Sequence, residues 1–179
     1  ITDDDDIELS GGTVTISSGI TTGDTLTLST QFGISGTYDS STGVLSIVGT
    51  ASLSDYKTAL QSITYHSTSE DPTITAGSRT VSWTITDANS ESLGAKSSIA
   101  VNSTINIAPI NDAPVMTAGA TLAYTENETA TVIDNTITII DDDDIEMSGS
   151  TVTISTGFTI GDILELSDQN GISGVYNNS

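Results

Sequence analysis

The sequence predicts an all-β protein built of Greek-key β-sandwich repeats in tandem, with one short helix per repeat. Apolar residues alternate with Thr and Ser at period two, and the chain contains a near-copy of its own beginning. Gly, Asn and Asp punctuate it at the roughly 8 to 12 residue spacing of a sandwich's turns.

The internal copy organises everything else. Residues 1–41 align with residues 139–179 without a gap, at a constant offset of 138 residues and with 28 identities in 41. ITDDDDIELSGGTVTIS returns as IIDDDDIEMSGSTVTIS, Gly23-Asp24 as Gly161-Asp162, and QFGISGTY as QNGISGVY. Chance does not produce this, so the chain reads as a window on a repeat array. Pro109 and Pro114 bracket a polar segment in APINDAPV, residues 108–115, with no room for regular structure. The boundary falls there. Residues 1–110 are expected to be a repeat lacking its first strands, the equivalents of 111–138. Residues 111–179 are expected to be the N-terminal part of the next repeat. Half a sandwich exposes an apolar face and unpaired edges, so that second part should need a covering segment.

Each element has a local reason. Thr13 to Ile16, Thr25 to Leu28, Val44 to Val48 and Thr136 to Ile139 alternate polar and apolar residues, as half-buried strands do. Val81, Trp83 and Ile85 alternate with Thr80, Ser82 and Thr84, and Ile99, Val101, Ile105 and Ile107 follow the same rule. One segment departs: residues 54–61, SDYKTALQ, have a cap candidate in Ser54 or Asp55 and place Tyr56, Leu60 and Ile63 near helical spacing. The expected core is Val14, Ile16, Leu26, Leu28, Leu45, Ile47, Leu60, Ile63, Val81, Trp83, Ile85, Ile99, Val101, Ile105 and Ile107.

Charge narrows the function. The chain has 24 acidic residues against three Lys and Arg, a net charge of −21, with one histidine and no cysteine. Nucleic acid and anionic membranes would be repelled at long range. There is no apolar run long enough to span a membrane in this segment, so no membrane insertion is expected of it. Catalytic side chains are scarce: His66 ends a strand, and Trp83 sits in the strongest alternating one, where it reads as core. No enzyme activity is expected.

The acids cluster. Asp3, Asp4, Asp5, Asp6 and Glu8 form one group, and Asp141, Asp142, Asp143, Asp144 and Glu146 another. Carboxylates this close repel one another unless a cation lies among them. Calcium takes six to eight hard oxygens of this kind, magnesium demands a tight octahedron and retains its waters, and zinc prefers His or Cys. In an extended segment alternate residues point the same way, which would let Asp141 and Asp143 share an ion while Asp142 faces elsewhere. A solvated acidic loop is the other reading of these runs.

In order along the chain, NDAPV, YTENETATVIDNTITIIDDDDIEMSGSTVTI, TGVLSI, LSDY and TVSWTITDANSESLGAKSSIAVNSTINIAPINDAPV resemble an Ig-like, cadherin-like repeat. The closest resemblance is to the cadherin-like repeats of giant bacterial surface proteins and adhesins. It implies calcium at the junction between successive sandwiches. Asp141 and Asp143 match the family's Asp-x-Asp pair, and Asp3 and Asp5 are their equivalents in the first copy. Glu126 resembles its first-strand Glu, Asp87 its late-strand Asp, and Asn111 and Asp112 its linker Asn-Asp. For Glu126 and Asp87, capping or turn roles stand beside ligation. Pro109 occupies the place of a linker Asp, and Leu53-Ser54-Asp55-Tyr56 replaces Leu-Asp-Arg-Glu, leaving Asp55 as that segment's carboxylate. The junction at Asn111 and Asp112 would then use Asp141, Asp143 and Asp55, whereas Asp87 would serve the preceding junction with Asp3 and Asp5.

The resemblance further implies an extracellular or cell-surface location and a structural role as a stalk or fibre repeat. Its partners would be neighbouring repeats or other copies in a fibre. The alternative is an adhesin module that binds a glycan or another cell-surface ligand, for which the repeated Tyr38 and Tyr176 are the only aromatic candidates.

Overall fold

The computed structural model describes residues 7–89, 92 and 94–177. The chain divides into two compact units, Ile1–Asn111 and Asp112–Ser179. It is mostly β, with antiparallel sheets and one short helix among the described residues.

In the first unit, β1 (Glu8–Ser18) is the central strand of a five-stranded antiparallel sheet. Its neighbours are β4 (Val44–Ser52) on one side and β6 (Ser78–Asp87) on the other; β3 (Ser35–Asp39) and β7 (Val101–Asn106) form the edges. A second layer, made of the β2 (Thr25–Thr27) and β5 (Thr64–His66) pair and of helix α1 (Leu53–Gln61), packs on one face. The period-two pattern sets this arrangement. Val14 and Ile16 of β1, Leu45 and Ile47 of β4, Leu26 of β2 and Val81 of β6 all turn inward and are buried, with Leu28 just past β2 and Ile34 just before β3. Leu60, Ile63, Trp83, Ile85 and Ile105 pack partly buried against them.

Two expected core residues lie elsewhere. Ile99 and Val101 are exposed, at 86% and 59%. Val101 is the cross-strand partner of Trp83 and so shares the core-facing side of the sheet. Alternation assigns a side chain to a face, but the second layer does not reach this far across it. Ile107 is half-buried beyond the end of β7.

The helix begins at Leu53, and its cap lies two residues ahead of Ser54, the first of the expected candidates. Ser52 is its N-cap: the Asp55 amide donates to Ser52 Oγ at 3.2 Å, and Ser52 Oγ donates back to Asp55 Oδ2 at 2.7 Å. This resembles a capping box, with the third helical residue as the acid. Tyr56 and Ala59 supply the buried stripe. Ser52→Ala is expected to cost about 1 kcal/mol, read as a lower urea midpoint at unchanged slope.

The core also holds a charge pair. Arg79 and Asp24 side chains are both fully buried, with Nε to Oδ2 at 2.6 Å and Nη2 to Oδ1 at 3.3 Å. Tyr65 Oη donates to Asp24 Oδ1 at 2.6 Å and the Thr21 amide to Oδ2 at 2.8 Å, while Arg79 Nη1 and Nη2 also donate to the Ala76 and Pro72 carbonyls. Burial pushes the Asp24 pKa up, but Arg79, Tyr65 and Thr21 together outweigh it and hold the carboxyl below its ordinary value.

Among its described residues the second unit has one two-stranded ladder, β8 (Val115–Thr117) with β9 (Thr138–Ile140). Its turns reproduce those of the first unit. The Thr159 amide donates to Asp162 Oδ2 at 2.9 Å as Thr21 does to Asp24, and Gln169 pairs with Ile172 as Gln31 does with Ile34. Burial is not reproduced. Val14 is fully buried whereas its equivalent Val152 is 71% exposed, and Leu166 and Ile172 are exposed where Leu28 and Ile34 are buried. Turns are encoded by a few adjacent residues, but a core needs strands equivalent to β4, β6 and β7, for which residues 112–177 have no counterpart. Among the described residues no helix is long and apolar enough to cross a membrane.

Candidate metal centre

The second acidic run follows directly on β9, which ends at Ile140. Here the chain turns. The amides of Asp143 and Asp144 both donate to Asp141 Oδ1, at 3.3 and 3.0 Å, so the carboxylate organises an Asx-type turn. Asp141, Asp143 and Asp144 each bring a carboxylate oxygen within 4.8 Å of the others. Asp141 and Asp143 are half-buried and Asp144 is exposed, as is Glu146.

The sequence pointed to Asp141 and Asp143 through extended-strand alternation. The geometry that joins them is different, because a turn rather than a strand brings them together and adds Asp144. The signal was present in the run itself, since Asp is the residue whose side chain most readily accepts from amides two and three positions on.

The linker reaches this cluster. The Asp112 amide donates to Asp143 Oδ2 at 3.1 Å. Asp143 Oδ1 is buried without a hydrogen-bond partner. The Asp141 carboxyl, close enough to share a proton, raises the Asp143 pKa, and the same sharing lowers that of Asp141. Two carboxylates competing for one proton, with an acceptor oxygen left over, form a hard-oxygen donor set that suits calcium. Asp141, Asp143 and Asp144 are the residues that would hold it.

The remaining sequence-derived ligands have other placements. Asp55 caps α1. Asp87, at the end of β6, accepts from the Asn89 amide at 3.1 Å and the Lys96 amide at 2.9 Å, closing the loop that follows. Glu126 is exposed in a turn of the second unit, and Asn111 is the last residue of the first. Asp3 and Asp5 lie outside the described residues. The structure thus brings Asp112, Asp141 and Asp143 together, with Asp144 added.

Comparison with family models, with curated proteins and with solved structures gives no match for this chain.

Proposed function

We propose that the chain is part of a structural extender outside the cell, an array of tandem Greek-key, cadherin-like β-sandwich repeats stiffened by calcium where one repeat meets the next. The observation that carries this reading is the Asp141, Asp143 and Asp144 cluster at the entry to the second copy, tied to the linker by the Asp112 amide. The 28 identities in 41 between residues 1–41 and 139–179 supply the array, and a charge of −21 supplies the repulsion that a cation would relieve. Without metal, the clustered acids push the chain apart around the linker. With calcium, shared ligation replaces repulsion.

Extracellular modules of this type bind calcium at about 10⁻⁴ to 10⁻³ M, so the external concentration would set the joint's stiffness. Small-angle scattering on a two-repeat polypeptide is expected to show a longer, straighter particle in calcium than in chelator. The combined variant Asp141→Ala and Asp143→Ala should lose that response. A proton on Asp143 competes with the cation, so affinity should fall as pH drops through that residue's raised pKa. A particle whose dimensions ignore calcium would leave the acids as solvating groups only.

A further inference from the structure

Residues 42–110 close the first unit's core around residues 1–41, yet residues 139–179 offer them almost the same surface. Val14, Ile16, Leu26, Leu28 and Ile34, all buried, return unchanged 138 positions on. Asp24, the partner of buried Arg79, returns as Asp162. Leu9 returns as Met147, an exchange of similar volume that cores tolerate. By these positions alone, residues 139–179 could lie between β4 and β6 in place of β1.

One inward position separates the copies. Gly12 stands in the register of Val14, between Ile47 of β4 and Ile85 of β6. The strands approach closely here: a Cβ would run into the Thr84 carbonyl oxygen and lie 3.2 Å from Ile85 Cα. Both are backbone atoms of a strand held on its two sides by β1 and β7, so neither can give way as the tip of a side chain would. The equivalent of Gly12 is Ser150. The other substituted positions against the core, Ile20 and Thr25, are half-buried, where a larger side chain can turn toward solvent.

We propose that Gly12 and Ser150 form a register key between the copies. Only a strand with glycine at this place closes against β6, so residues 42–110 select residues 1–41 and reject residues 139–179. Chain distance does not make the choice. Thr13 stands 71 residues ahead of Thr84 and Thr151 nearly as far behind it, and loop closure depends only weakly on length. The inference goes beyond the extender reading and concerns strand pairing rather than calcium. It is tested in chelator, so its failure and that of the calcium junction are separable.

The experiment uses the outer face of the sheet, where Thr13 and Thr84 are directly opposite with hydroxyl oxygens 2.7 Å apart, in a chain that has no cysteine. The whole chain carrying Thr13→Cys, Thr84→Cys and Thr151→Cys is unfolded in urea with reductant. It is then refolded by dilution into a glutathione redox buffer, and the bridges are counted by peptide mass. The thiol at position 84 has two rivals. The 13–84 bridge is expected to outnumber the 84–151 bridge by at least about tenfold, the discrimination that an overpacked core contact gives. Ser150→Gly, at an exposed position, removes the obstacle and should bring the two bridges close to parity. Exchanging the residues, Gly12→Ser with Ser150→Gly, should reverse the preference, which a general loss of stability would not do. A ratio that ignores Ser150→Gly, or an 84–151 bridge that dominates with Ser150 in place, would overturn the proposal.

Discussion

Arg79→Met is expected to destabilise residues 7–110 by about 3–5 kcal/mol, the cost of leaving one member of a buried charge pair without its partner. Asp24 would keep its burial and lose both guanidinium bonds, and the carbonyls of Pro72 and Ala76 would lose their donors. Against a typical total of 5–15 kcal/mol, this is a loss of a third or more. Urea denaturation measures it. The double variant Asp24→Leu with Arg79→Met removes both charges and should be more stable than either single variant, though Tyr65 then lacks its acceptor. If the double variant is instead the sum of the two singles, the pair is not acting as a pair.

The same network fixes the response to acid. The folded-state pKa of Asp24 lies below its ordinary value, so its contribution is present above the unfolded pKa of about 3.9 and is lost as pH falls through the folded value. Arg79 is raised from an already high value and stays charged throughout.

The second large effect is at Tyr56. It is fully buried on α1, and its hydroxyl donates to the Gly49 carbonyl. Tyr56→Ala is expected to cost about 3–5 kcal/mol, the range for removing a large aromatic side chain from a core. Tyr56→Phe retains the ring and should cost about 1 kcal/mol through the lost hydrogen bond. Comparing the two urea midpoints separates packing from polarity. The acceptor position requires glycine: its φ is +124°, and a Cβ there would lie 2.2 Å from the Gly33 carbonyl oxygen.

Those residues also show where sequence reasoning reaches. Val14, Ile16, Leu45, Ile47 and Val81 were legible as core because a strand's period is local and consecutive residues state it. Ile99 and Val101 were not, since the same period cannot say whether the opposite layer extends over them. The Asp24 and Arg79 pair escaped because its members are 55 positions apart. One sign was available: Arg79 stands in the inward register of Val81 and Trp83, where a cation requires a buried acid. At the candidate metal centre, Asp141 and Asp143 were legible from the run of acids, but Asp144 depended on a turn that alternation does not foresee.

The 55-residue separation of Asp24 and Arg79 also orders events during synthesis. At about 5–20 residues per second, roughly 3 to 11 s pass between the emergence of the two residues. Through that interval the first strands have no β6 to pack against, as residues 139–177 have none here. Residues 1–41 and 139–179 are nearly the same sequence, and two such segments in one chain invite mispairing. Emergence in order protects against it: residues 42–110 arrive before residues 139–179 exist, so residues 1–41 meet them before the near-copy leaves the ribosome.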